Sequence, residues 1–493
     1  MKISGVLVAM ALAIAASGCR STSRTVFEQD SRSRQSQIST RSQPQVSAEI
    51  VQATYEDLDG PRKIQGIRPA EQFSQRELNS LGATFQDSPG LMSLEQFQSL
   101  AIERNPTIQA LAASTQKAAG YRTQVGLRPN PVVGYQAVQL ADQGTDQHTV
   151  FFERQFVRGG KLELNQSVLN EALRAQRFEY DAQQIRVLTD IEIKFFEVLA
   201  AQRRVELVSE FEGVVEKGLE LSETRMKAQE GTKVDVLQAK IQKNEINLSR
   251  QQAEIALATA WQELVAIAGV PDLPMTQVMG ELPQQAELLD WRAFASAVVE
   301  TSPEMEAARA RIARARANLN RQGVQAIPNI TAQLAAGIDN DSNSGLINLQ
   351  VGVPIPTNNR NQGNISAAQA ELCRAIKDAE RVELSIKSRF AVIAREYDSA
   401  LAAVEQYTRE ILPSAVESLQ LADESYKAGE SSFVQVLVAR KTFFDSNISF
   451  LEAQAQLAQA QAKMKGNALT GALDPTTDES GDDGLRGESL DQQ

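Results

Sequence analysis

This chain of 493 residues has two cysteines and one histidine. Cys19 lies in the leader and Cys373 in a helical run, so a disulfide framework is excluded. A metal site of soft ligands is also excluded, because no Cys/His cluster exists to build one. Aromatic residues make up only 5% of the chain. With Ala, Gln, Glu, Leu and Arg abundant, that composition predicts long helices rather than a thick globular core. No apolar run is long enough for a transmembrane helix. The formal net charge of −12 argues against nucleic acid as the main partner. No nucleophile–base pair or phosphate loop is present, and His148 stands alone in a strand-turn region, which argues against an enzyme.

Residues 1–18 read as a secretory signal, with Lys2 ahead of an apolar run from Val6 to Ala16. The run ends Ala16-Ser17-Gly18-Cys19, similar to the lipobox of bacterial lipoproteins, with Ala16 where a Leu is usual. That resemblance implies acylation of Cys19, a covalent lipid being the only expected prosthetic group, and Arg20 after it implies delivery to the outer membrane. A plain signal peptide is the competing reading. Residues 19–90, rich in Ser, Gln, Arg and Thr, predict a flexible tether. Residues 474–493 carry seven acids and no core formers, and predict a disordered, solvated tail.

Between tether and tail the chain is a tandem repeat, 91–273 and 290–473, joined by a linker at 274–289. Glu103-Arg-Asn-Pro106 is echoed by Glu300-Thr-Ser-Pro303, Pro129-Asn130 by Pro328-Asn329, and Gly159-Gly160 by Asn358-Asn359. Gly231-Thr-Lys-Val-Asp-Val-Leu-Gln-Ala-Lys240 is echoed by Gly429-Glu-Ser-Ser-Phe-Val-Gln-Val-Leu-Val-Ala-Arg440. Matches in one order at near-constant offset mark a duplication. Each repeat predicts a helix of about 35 residues (93–127; 290–326), two extended segments, a long helix (161–226; 364–427), a glycine-bearing tip, and a second helix of about 35 residues (234–268; 434–470). At 1.5 Å per residue the long helix reaches about 100 Å, roughly the sum of the two shorter ones. Heptad-spaced Ile191, Val198 and Val205, then Leu207, Val214 and Leu221, predict lateral helix packing.

The extended segments carry the sharpest local signal. Ile330, Leu334 and Ile338, and then Ile347, Leu349, Val351 and Val353, alternate with mostly polar or small residues. In the first repeat Val150, Phe152 and Phe156 share a face. A period of two puts one face against an apolar medium and the other against water. Each hairpin stands between helices with no other strand beside it in the sequence. Four amphipathic strands cannot close a barrel, and open edges are not tolerated in lipid. Barrels begin at about eight strands, so the strands must be pooled between chains.

These features resemble the TolC-like outer membrane factors over about residues 91–473. The resemblance rests on the duplicated element order, the Pro-Asn entries, the Phe156-Val-Arg-Gly-Gly-Lys161 exit and the paired tip motifs. It implies a mainly α fold with a small β part: a homotrimer with a 12-stranded barrel continued by an α-helical barrel in the periplasm. The implied role is a passive exit duct joined to a periplasmic adaptor and an inner-membrane efflux pump. The heavy-metal (cobalt–zinc–cadmium, copper–silver) or drug-efflux branch is the nearer; a type I secretion duct is the alternative. The family also implies an entrance closed by carboxylates, Tyr and Arg at the tips. Asp235 fits a carboxylate position and Tyr426 the tyrosine, while Gln435 and Val438 stand where the second hairpin often has Asp and Ser431 where some members have Arg. Asp235 reads equally as an acid favoured by the dipole of a helix start, and the two readings are compatible. A periplasmic adaptor would carry one hairpin and far more strand, and a non-channel envelope coiled coil would lack the alternating segments.

Overall fold

A computed structural model describes residues 91–140, 144–285, 287–481 and 485. Cys19, the signal segment and the tether lie outside these residues.

In chain order the elements are β1 (Leu91–Met92), α1 (Leu94–Arg104), α2 (Pro106–Val125), β2 (Val132–Val138), β3 (Gln147–Phe156), α3 (Lys161–Lys227) and α4 (Lys233–Ile267). The linker contributes β4 (Gln277–Val278). Then follow α5 (Trp291–Thr301), α6 (Pro303–Val324), β5 (Ile330–Asp339), β6 (Ser344–Gly352), α7 (Gln362–Gln406), a π turn (Tyr407–Ile411), α8 (Leu412–Lys427) and α9 (Phe433–Lys465). The duplication holds throughout.

Three of the sequence expectations need correction. The first helix of each repeat is two helices, broken at Asn105-Pro106 and Ser302-Pro303. Proline lacks an N–H and forces the preceding residue out of helical geometry, so Asn105 and Ser302 sit at ψ 124° and 130°. Each proline then takes the first helical position, where its missing donor is harmless. Asn105 caps the new start, its Oδ1 accepting from the amides of Thr107 and Ile108, and its Nδ2 donates to the Ile267 carbonyl at 2.8 Å. Second, the long helix is continuous only in the first repeat, where α3 runs 67 residues, about 100 Å. Its counterpart passes through the π turn just before Pro413, which removes one helical hydrogen bond and widens the turn.

Third, the hairpins are not separate. β3 and β5 pair antiparallel from Gln147↔Asp339 to Phe156↔Ile330, giving one sheet in the order β2-β3-β5-β6. The register aligns the predicted faces. Val133, Phe152, Leu334 and Leu349 form one row across all four strands, and the next row on the other face is Val132, Glu153, Gln333 and Gln350. The apolar face is exposed: Val133, Val150, Phe152, Leu334, Ile347 and Leu349 all keep about half or more of their surface open. Among the described residues, β2 and β6 each have one unpaired edge.

The core is also duplicated. Phe97 of α1 packs edge-on to Phe195 of α3 and Trp261 of α4, with Ile191, Val198 and Leu264 around them. In the second repeat Val298 of α5 and Met305 of α6 pack on Val382, Ile386 and Phe390 of α7. The linker joins the layers. β4 pairs in parallel with β1, and Tyr397 donates to the Glu287 carbonyl. Ile191 and Val198 are buried as the heptad predicts, but Val214 and Leu221 are exposed. Toward the tip the buried seam of α3 is Val208, Phe211, Val215, Gly218 and Ser222. Its 3-4-3-4 spacing is the coiled-coil pattern in a different register.

Candidate functional site: the paired hairpin tips

The far ends of α3 and α8 turn back on themselves in the same way. After Lys227 the amide of Gln229 bonds to the Met226 carbonyl and that of Glu230 to the Arg225 carbonyl. After Lys427 the amide of Gly429 bonds to Tyr426 and that of Glu430 to Ser425. Both are Schellman closures, which need a left-handed residue at their centre. That residue is Gln229 in the first tip (φ 64°) and Gly429 in the second (φ 79°).

The two tip glycines are therefore not equivalent. Gly231 corresponds to Ser431, and Gly429 to Gln229. Gly231 has another reason to be glycine, since a Cβ there would lie 3.3 Å from the Met226 backbone nitrogen.

The helices that leave the tips start differently. Thr232 caps α4: its hydroxyl accepts from the Asp235 amide at 3.2 Å, and Asp235 Oδ2 accepts from the Thr232 amide at 3.0 Å and hydroxyl at 2.8 Å. This reciprocal box satisfies two donors at the helix start and sets an anion against the dipole. Asp235 is thus engaged in the helix-start role that its position predicted. Ser432 makes no side-chain cap for α9, and Phe433 is buried behind it. Gln435 is exposed one turn on and lines a groove of about 380 Å³ with Leu421, Ser425, Val434 and Val438.

What joins the tips is a residue that sequence reasoning missed. Arg225, in the last turn of α3, lies over the Tyr426 ring at 4.8 Å and donates to its hydroxyl. A guanidinium on an aromatic face with a hydrogen bond to the same side chain is worth more than an exposed ion pair. The expected arginine was sought at Ser431, in the same tip as Tyr426; it comes from the other repeat. Behind this contact Phe433 tilts against Tyr426 at 5.7 Å, Arg440 pairs with Asp423 at 3.2 Å, and Phe211 stacks on Phe444 at 4.4 Å. Along α3 and α4, Glu216 meets Lys243 at 2.7 Å and Glu212 meets Arg250 at 2.8 Å. The hydrogen bond to Lys243 holds the Glu216 carboxyl below its usual range.

Among the described residues no group of three or more His, Cys, Asp or Glu side chains is placed to hold a metal ion. No helix among them is long and apolar enough to cross a membrane. His148 lies at the opposite end, stacked on Tyr135 and bonded to Asp146 at 2.5 Å.

Residues 295–468, inside the second repeat, match the family model described as outer membrane efflux protein. CzcC, a cobalt-zinc-cadmium resistance protein of Cupriavidus metallidurans, is 25% identical over 386 residues, 76% of this chain and 89% of that protein. The second repeat thus carries the pattern of the outer membrane efflux proteins, and most of the chain is similar to one resistance protein. Solved channels of this kind have the same fold. CusC superposes with a TM-score of 0.64 at 18% identity, over 77% of this chain and 92% of that one. VceC of Vibrio cholerae gives 0.63 at 17% identity, over 77% and 96%.

Proposed function

We propose that this protein is one third of an exit duct in the outer membrane. Three copies pool four strands each into a 12-stranded barrel, and their helices continue it as a tunnel in the periplasm. The observation that carries the reading is the sheet, apolar on one face, polar on the other and unpaired at both edges. Such edges are satisfied in lipid only by strands of another copy.

The duct conducts rather than catalyses. An inner-membrane pump supplies the energy, and a periplasmic adaptor couples it to the tips. Metal cations or drugs are the cargo; the resistance named for CzcC supports the metal class. Acylated Cys19 would anchor each copy to the same membrane. At the entrance, Tyr426 held by Arg225 keeps the second hairpin against the first. Asp235 and Gln435, near the starts of α4 and α9, face the constriction, with Asp235 giving it cation preference.

Planar bilayers test this reading. Purified full-length protein should insert and give discrete, cation-preferring conductance steps. Bilayers that stay electrically silent at protein levels giving confirmed insertion would contradict it.

A further inference from the structure

The described part of the acidic end, residues 474–481, is held against the helices rather than free as its composition predicts. From Gly471 to Gly481 it is fastened to α3 and its neighbours at both ends. Asp190 accepts from the amides of Gly471 and Ala472 at 2.9 and 2.7 Å. The Ala472 carbonyl accepts from Gln183 and Thr107, both at 2.9 Å. Asp478 pairs with Lys117 of α2 at 2.6 Å, and Gln176 accepts from the Glu479 amide at 2.7 Å. The Glu479 carboxylate lies between two arginines of α6, Arg311 at 3.1 Å and Arg314 at 3.4 Å. Beyond it Leu485 is fully buried against Val125, Val168 and Leu169, and Asn165 donates to its carbonyl at 3.5 Å.

The α3 partners fall in number as the tail rises: Asp190, Gln183, Gln176, Asn165. The segment therefore runs antiparallel to α3, toward the sheet. Its partners come from three helices of both repeats, α2 and α3 of the first and α6 of the second. Half-shielded pairs with several partners hold more firmly than isolated surface ones. The Glu479 charge also offsets the repulsion between two guanidinium groups three residues apart on α6.

We propose that residues 471–481, with Leu485, form a clasp that fastens α6 of the second repeat onto α2 and α3 of the first. Lys117 and Ser480 hold the Asp478 carboxyl down at about 2, so the clasp stays charged across ordinary pH.

Limited trypsin digestion of the full-length protein in mild detergent tests the clasp, with fragments identified by mass. The double variant Asp478→Asn with Glu479→Gln should be cut about tenfold faster at Arg311 and Arg314, with unchanged cutting at Lys227 and Lys427 in the tips. Unchanged rates at the seam would overturn the proposal, and so would an equal acceleration at the tips, which reports general loss of stability. A charge exchange gives an independent reading. Lys117→Asp and Asp478→Lys should each speed cutting at the seam, and together they should restore the wild-type rate; failure of the pair to restore it contradicts the clasp. The test rests on the fold alone and does not depend on the duct reading.

Discussion

The two hairpin tips come from one duplicated sequence, yet they are held in different ways. The first is secured locally, by a reciprocal cap between Thr232 and Asp235, at the end of an unbroken 67-residue helix. The second has no side-chain cap, and the arm that leads into it is interrupted by the π turn before Pro413. It is held instead by Tyr426, which leans on Phe433 and accepts from Arg225 of the first tip. The duplication thus gives one self-sufficient hairpin and one that depends on its neighbour. In the proposed duct the first tip would serve as a fixed strut and the second as an arm tied to it by contacts that can be released.

The largest test of this contrast is to cut the tie. Arg225→Ala removes both the ring contact and the hydrogen bond, together worth about 1–3 kcal/mol. It should shift the mouth toward its open form and raise single-channel conductance several-fold, whereas Tyr426→Phe, which keeps the ring, should have a smaller effect. Equal conductance in all three proteins would show that the tips are not tied. The caps come next. Thr232→Ala should cost about 1 kcal/mol at the start of α4, read as faster hydrogen exchange at residues 234–236. Ser432→Ala should change exchange at residues 434–436 by a few tenths at most, because Ser432 makes no cap bond. The smallest effect concerns the left-handed residues. Gln229→Gly should stabilise the first tip by about 0.5–1 kcal/mol, and Gly429→Gln should destabilise the second by a similar amount in thermal unfolding. Destabilisation by Gln229→Gly, or no loss from Gly429→Gln, would refute the assignment of which residue turns each helix.

Much of this arrangement was legible in the sequence. The duplication, the alternating strands and the ends of the long helices all rest on local periodicity, and Leu334 and Leu349 lie on the face that their alternation implied. Contacts between distant segments were not legible. Nothing near Gln147 announces its pairing with Asp339, 192 residues away, and nothing near Tyr426 points to Arg225. The breaks at Asn105-Pro106 and Ser302-Pro303 were readable, because a capping residue before proline starts a new helix. Apolar periodicity continued across both and concealed them. Gly231 and Gly429 look alike as letters but answer different needs, close backbone approach in one and a positive φ in the other. The acidic tail shows how composition misleads: Asp478 and Glu479 predict solvation until Lys117, Arg311 and Arg314 are brought beside them.

The central claim is that this sheet is completed only by other copies of the chain. Native mass measurement of the purified protein in mild detergent addresses it most directly. The account predicts a complex of three chains that persists in high salt, because its barrel is joined by backbone hydrogen bonds rather than by surface charge. A stable single chain under the same conditions, with the β2 and β6 edges left open, would contradict it.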